Sequence, residues 1–131
     1  MMIEDNNYCF VCGKQNPAGL GLSFSSSGDK VIAEFDLQKK FQGYKDIVHG
    51  GIVAAILDEA MIQAVRAKNM HAVTAELTVR FRAPLMAGEK VSVEARVLKV
   101  KKNLIEASAV IRRHDSSVVA EGTAKLLASL K

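Results

Sequence analysis

The chain contains no tryptophan, only two prolines and two cysteines, and 5% aromatic residues in 131. The missing tryptophan and the scarcity of aromatics among its basic residues argue against a nucleic-acid surface, which normally pairs cationic side chains with stacking platforms. No apolar run approaches the roughly 20 residues that a membrane-crossing helix needs. Repeats and low-complexity tracts are absent, so a compact fold is expected rather than a linker or a disordered segment. A second Cys-x-x-Cys is also missing. A complete four-ligand zinc site would therefore have to recruit His49, His71, His114 or a neighbouring subunit, and Cys9 and Cys12 read as a reduced thiol pair. The start Met1-Met2-Ile3-Glu4-Asp5-Asn6-Asn7 does not have the pattern of a signal peptide, and a cytoplasmic location is expected.

A chain of 131 residues with 49% hydrophobic and 24% charged residues suits one globular domain, spanning 1–131, with one core. The formal charge of +4 comes from Lys and Arg spread over several segments, with denser spots at Arg80/Arg82, Lys99/Lys101/Lys102 and Arg112/Arg113. Such spots form a solvated face or attract an anionic ligand such as a nucleotide phosphate.

The most informative stretch is Val48 to Ala60, which opens on His49-Gly50-Gly51 and carries Leu57-Asp58-Glu59-Ala60. At about 100° per residue, Asp58 shares its side of a helix with Gly51, Ala54, Ala55, Met61, Ile62 and Val65. A carboxylate on an apolar stripe is costly to desolvate and is a candidate reactive group. Glu59 points a quarter turn away, with Gln63 and Arg66, on a polar stripe open to water. At the helix start, first-turn N–H groups lack intrahelical acceptors and lie at the positive end of the macrodipole. The two glycines let a second group approach that backbone. A developing oxyanion would be stabilised there.

Around this helix, expected at about 50–68, the pattern is β. Leu20, Leu22 and Phe24 alternate, then Val31, Ala33 and Phe35, with Ser25 to Asp29 as the turn between them. Downstream, four runs are expected each to share a face: Val73/Ala75/Leu77/Val79/Phe81, Val91/Val93/Ala95/Val97, Ile105/Ala107/Ala109/Ile111 and Ala120/Gly122/Ala124/Leu126. Residues 1–19 form a lead-in carrying the Cys-x-x-Cys. Two strands, one long apolar helix and four strands give an α+β fold in which a curved antiparallel sheet wraps a central helix.

That order, with His49-Gly50-Gly51 and the acidic residue nine positions after the histidine, resembles the hotdog-fold thioesterases, in particular the PaaI-like acyl-CoA thioesterase group. Tyr8-Cys9-Phe10-Val11-Cys12-Gly13 and Asn16-Pro17-Ala18-Gly19-Leu20 are similar to a lead-in found in some members. Phe41-Gln42-Gly43-Tyr44 and Thr74-Ala75-Glu76-Leu77 resemble family segments more loosely. The resemblance covers about residues 8 to 128. It implies hydrolysis of an acyl- or aryl-CoA thioester, without metal or organic cofactor, at sites shared between the subunits of a homodimer or a dimer of dimers. Asp58 matches the family's nucleophile or general base, and Gly50 the residue whose N–H polarises the carbonyl. His49 and Gly51 shape the substrate loop, and Thr74 falls where a hydroxyl positions the nucleophile or water. Relatives often carry Asn or Gln six residues before the histidine. This chain has Gly43 there, so Gln42 is the candidate to hold water or the leaving group. Glu59, Arg80 and Arg82 are further candidates for substrate contact, the arginines towards coenzyme A phosphates. The alternative on the same fold is a non-catalytic acyl-CoA binding or sensing protein. No nucleic acid or membrane partner is expected.

Overall fold

The computed structural model describes residues 3–129. Its elements run β1 (Ser25–Ser27), β2 (Lys30–Phe35), a 3-10 turn (Lys39–Phe41), α1 (Gly50–Arg66), β3 (Ala72–Phe81), β4 (Val91–Lys101), β5 (Leu104–Arg113) and β6 (Val118–Ala128). The strands form one sheet in the order β1-β2-β4-β5-β6-β3, antiparallel throughout. Because β2 lies near one edge and β3 forms the other, the connection between them must cross a sheet face, and α1 is that connection. This is the hotdog arrangement expected from the sequence.

Helix α1 starts where His49 leaves the helical region (φ −56°, ψ 133°) and its imidazole accepts the Gly51 N–H. Val53, Ile56, Leu57, Ala60, Met61, Ala64 and Val65 are its buried residues. Their three- and four-residue spacing makes one stripe. The stripe packs on Val93, Ala95, Ile105, Ala107, Ile111, Ala120 and Leu126, all buried in the same core. The expected faces of β4, β5 and β6 are thus the core faces.

Two expectations are corrected. Ser25–Ser27 form β1, paired to β2 through Ser25↔Ile32, and the reversal is confined to Gly28 (φ 65°) and Asp29. Leu20 and Leu22, read as a strand, instead donate their N–H groups to the lead-in carbonyls of Phe10 and Val11 at 2.8 and 2.9 Å. The serine hydroxyls conceal the strand because an edge needs no apolar face.

In β3 a bulge between Thr74 and Glu76 breaks the alternation. Thr74 pairs with Leu126, and Leu77, Val79 and Phe81 pair with Ala124, Gly122 and Ala120. Those four β6 residues are buried against the helix, so their β3 partners share that side. Val73, opposite Leu127, falls on the outer side with Glu76, Thr78 and Arg80. The five apolar residues of β3 therefore do not share a face, because the extra residue shifts the period-two phase.

The outer face of the sheet is polar. Glu94 bonds Lys30 at 2.9 Å and Arg112 at 2.5 Å, and Lys30, followed by Arg112 and Arg96, holds its carboxyl below the usual carboxylate range. A carboxyl lowered by folding stabilises the protein above its unfolded value of 4.5 and ceases to do so as pH falls through the folded value. Glu94→Gln should consequently lower the urea midpoint at about pH 7, and the gap from the parent should close by about pH 3. Fully buried Leu57 and half-exposed Leu98 give a second contrast. Urea unfolding of Leu57→Ala should show a loss of about 2–5 kcal/mol, and of Leu98→Ala no more than about 0.5 kcal/mol.

Candidate active site

The α1 face turned away from the core is only half covered. Ala54, Ala55, Asp58, Glu59, Ile62 and Gln63 are all half-buried there, and no polar or charged residue is fully buried among the described residues. Asp58 thus does sit beside apolar neighbours, but on the helix face that the sheet leaves open, which corrects the deeper burial its stripe suggested.

The Thr74 hydroxyl donates to Asp58 Oδ1 at 2.6 Å. The β3 bulge makes this contact possible, since uninterrupted alternation would put Thr74 on the outer face with Thr78 and Arg80. A charge-assisted bond of this length fixes the carboxylate plane. Oδ2 has no hydrogen-bond donor among the described residues and faces the open side.

His49, Gly50 and Gly51 form the helix start. Nδ1 of His49 accepts the Gly51 N–H at 2.9 Å, and the His49 carbonyl accepts those of Ile52 and Val53. The Gly50 N–H has no acceptor among the described residues. A Cβ on Gly50 would touch the Phe81 ring at 3.7 Å, so the aromatic edge of β3 closes one side of this backbone. Beside it lies a shallow recess lined by Lys40, Phe41, Gln42, His49, Gly51 and Ile52. Lys40 was not a sequence candidate, and it is the only cation in that lining.

Gln42 reaches the recess, but its Oε1 accepts the Asp46 N–H at 3.0 Å and so braces the loop. Gly43 has a local reason to lack a side chain: a Cβ there would stand 3.3 Å from His49 Cα. A side chain at 43 would need His49 to give by a few tenths of an ångström.

Other candidates lie elsewhere. Arg82 pairs with Glu121 at 2.9 Å, and Arg80 lines a recess on the outer face of the sheet, opposite α1. Neither approaches Asp58 within this chain. Glu59 is drawn to the lead-in: Cys12 Sγ and Cys9 Sγ donate to its two oxygens at 3.2 and 3.6 Å, and Gln63 Nε2 donates at 2.8 Å. The thiols therefore meet a carboxylate, and none of the three histidines joins that cluster. Burial, then the Glu59 carboxylate, pushes the Cys12 thiol far up. Sequence reading missed this trio because its members stand 47 and 50 residues apart. The available signal was a glutamate on the same helix as Asp58 but a quarter turn round.

A family model described as the thioesterase superfamily matches residues 45–120. Among curated proteins, the chain is 25% identical to the uncharacterized mitochondrial membrane protein FMP10 of Saccharomyces cerevisiae. That match covers 73% of this chain and 43% of the yeast protein, so the chain spans less than half of that relative. It is 24% identical to mouse acyl-coenzyme A thioesterase 13, over 75% of this chain and 72% of the mouse protein. The solved structure of the E. coli PaaI protein from the phenylacetic acid degradation operon superposes with a TM-score of 0.77 at 21% identity, covering 82% and 83% of the two chains. No helix among the described residues is long and apolar enough to cross a membrane.

Proposed function

The chain belongs to the thioesterase superfamily, and from that premise we propose that it hydrolyses acyl- or aryl-CoA thioesters to the free acid and CoA. The observation that carries this reading is the Asp58 carboxylate, held at one oxygen by Thr74 and free at the other on an open, largely apolar helix face. Such a carboxylate serves as general base or as nucleophile. As base, it takes a proton from water, the water oxygen bonds the carbonyl carbon, and the C–S bond breaks with the proton passing to the departing thiolate. As nucleophile, it bonds the carbonyl carbon through oxygen and expels CoA as thiolate. Water then cleaves the mixed anhydride to the free acid and the Asp58 carboxylate, its released proton passing to the thiolate. Thr74 orients the carboxylate in either case.

The oxyanion formed in both routes needs donors, and the Gly50 N–H at the positive end of α1 is the proposed one, with His49 bracing the turn through Gly51. Asp58 lies eight residues further on, about 12 Å along the helix axis at 1.5 Å per residue. One carbonyl group cannot be within about 3–3.5 Å of both. The reading therefore requires Gly50 from one copy and Asp58 from another. The β3 edge supports such pairing. It offers unpaired backbone groups, and Leu77 and Phe81 beside them are 37% and 56% exposed, which is what an edge-to-edge partner would cover. Gln42 and Lys40 lie at the Gly50 end, where they would contact the leaving group and its phosphates. Arg80, Arg82 and Glu59 are not assigned substrate contact within one chain.

Thiol release from a panel of short, medium, long and aromatic acyl-CoA esters tests the activity. Asp58→Asn should reduce kcat by about 10²–10⁴ with KM little changed, and Thr74→Val by about 10-fold, the loss of one hydrogen bond to a charged group. Binding without turnover, indifferent to Asp58→Asn, would establish the sensing protein instead.

The shared site has its own test. Proline is accommodated at a first helical position, the extended ψ of His49 suits a residue before proline, and a Cβ at Gly50 makes ordinary contact with Phe81. The substitution removes the N–H and narrows the approach to it. Gly50→Pro and Asp58→Asn should each be inactive alone. Mixed and reassembled in equal amounts, they should recover about a quarter of parental activity, because half the dimers then hold one intact site of two. A site confined to one chain would recover none.

A further inference from the structure

We propose that Cys9, Cys12 and Glu59 bind a zinc ion that clips the N-terminal lead-in to helix α1. The donor atoms of these three residues all lie within 4.8 Å of one another. Around a tetrahedral zinc with Zn–S near 2.3 Å and Zn–O near 2.0 Å, neighbouring ligand atoms stand roughly 3.5–3.8 Å apart. Cys12 Sγ stands 3.2 Å from Glu59 Oε2 and Cys9 Sγ 3.6 Å from Glu59 Oε1, so the three side chains already converge at close to ligand spacing.

The turn that carries the cysteines is shaped to present sulfur. The Val11 and Cys12 N–H groups point at Cys9 Sγ, at 3.3 and 3.5 Å, and the Gly13 N–H closes the turn on the Cys9 carbonyl at 2.9 Å. Gly13 admits no side chain, since a Cβ there would stand 2.2 Å from Cys9 N. Backbone N–H groups aimed at a sulfur stabilise thiolate charge, the role of the outer partners of a metal ligand. Gln63 supplies a further outer contact, donating to Glu59 Oε2 at 2.8 Å and to Cys12 Sγ at 3.4 Å.

Charge favours the same reading. Among the described residues, the half-buried Glu59 carboxylate has no cationic partner, and the nearest arginine along its helix face, Arg66, is paired to Asp5 at 2.9 Å. A divalent ion supplies the missing positive charge, and on binding displaces the two thiol protons to solvent. Two sulfurs and one carboxylate oxygen select zinc over magnesium, calcium or manganese. Cys9 and Glu59 also line an open recess with Tyr8, Ile62 and His71, from which water can supply a fourth ligand.

The test uses the full chain, reduced and freed of metal by a chelator, and titrated with cobalt(II) as the spectroscopic probe. The expected result is saturation at about one equivalent, with sulfur-to-cobalt charge-transfer absorption in the near ultraviolet and the intense visible bands of a tetrahedral ion, both abolished by one equivalent of zinc. Cys12→Ser should remove the charge-transfer absorption or halve it, and Glu59→Gln should weaken zinc at least about 10-fold against a chromophoric chelator. Zinc should also slow proteolytic cleavage of the lead-in in the parent and not in Cys12→Ser. No charge-transfer absorption in the parent overturns the proposal, and so does undiminished absorption in Cys12→Ser, which would place the sulfur ligands elsewhere. Asp58→Asn should leave all of these readings unchanged, which separates the zinc site from the proposed hydrolysis.

Discussion

The structure depends on one constraint: the apolar stripe of α1 has to be buried, and the face of a six-stranded sheet buries it. The topology follows, because β2 and β3 sit near opposite edges and the helix must lie across the strands between them. Small residues at the crossing permit close packing, and a Cβ on Gly122 would already stand 3.2 Å from the Thr78 carbonyl and 3.7 Å from Leu57. A helix burying one stripe leaves another uncovered, and every candidate functional group on α1 lies on that uncovered stripe or at the helix start.

The β3 bulge shapes the candidate site. One additional residue at Ala75 turns Thr74 towards the helix, where its hydroxyl holds Asp58. Beyond the bulge, Leu77 and Phe81 keep the helix side of an edge strand, opposite Ala124 and Ala120. Bulges recur where a sheet must re-aim a side chain, and here the irregularity brings the Thr74 hydroxyl to the carboxylate. The length of the helix then separates that carboxylate from the Gly50 N–H by more than a single carbonyl can bridge. The proposed reaction and the proposed pairing of two copies are thus linked by geometry.

The lead-in is integrated with the same helix. Val11 and Leu22 are buried in the common core, and Glu59 receives both thiols one residue after Asp58. The two acidic neighbours thereby serve opposite sides of α1's open face, Asp58 towards β3 and Glu59 towards the lead-in, as the 100° turn between successive residues dictates.

The sequence by itself determined the helix and its start, the core faces of β4, β5 and β6, and the prominence of Asp58, because spacing along a chain encodes which side chains share a face. The family resemblance marked Gly43 as a departure, and the structure places it close to His49. Only the tertiary structure decided which helix face the sheet covers, and hence that Asp58 is half-buried. It alone fixed the phase of β3, since a bulge inserts one residue without a compositional mark. Ser25–Ser27 escaped as a strand because backbone pairing at an edge requires no apolar pattern. The meeting of Glu59 with Cys9 and Cys12 was likewise hidden. Periodicity is local, whereas contacts between residues some 50 positions apart exist only once the chain has closed on its core.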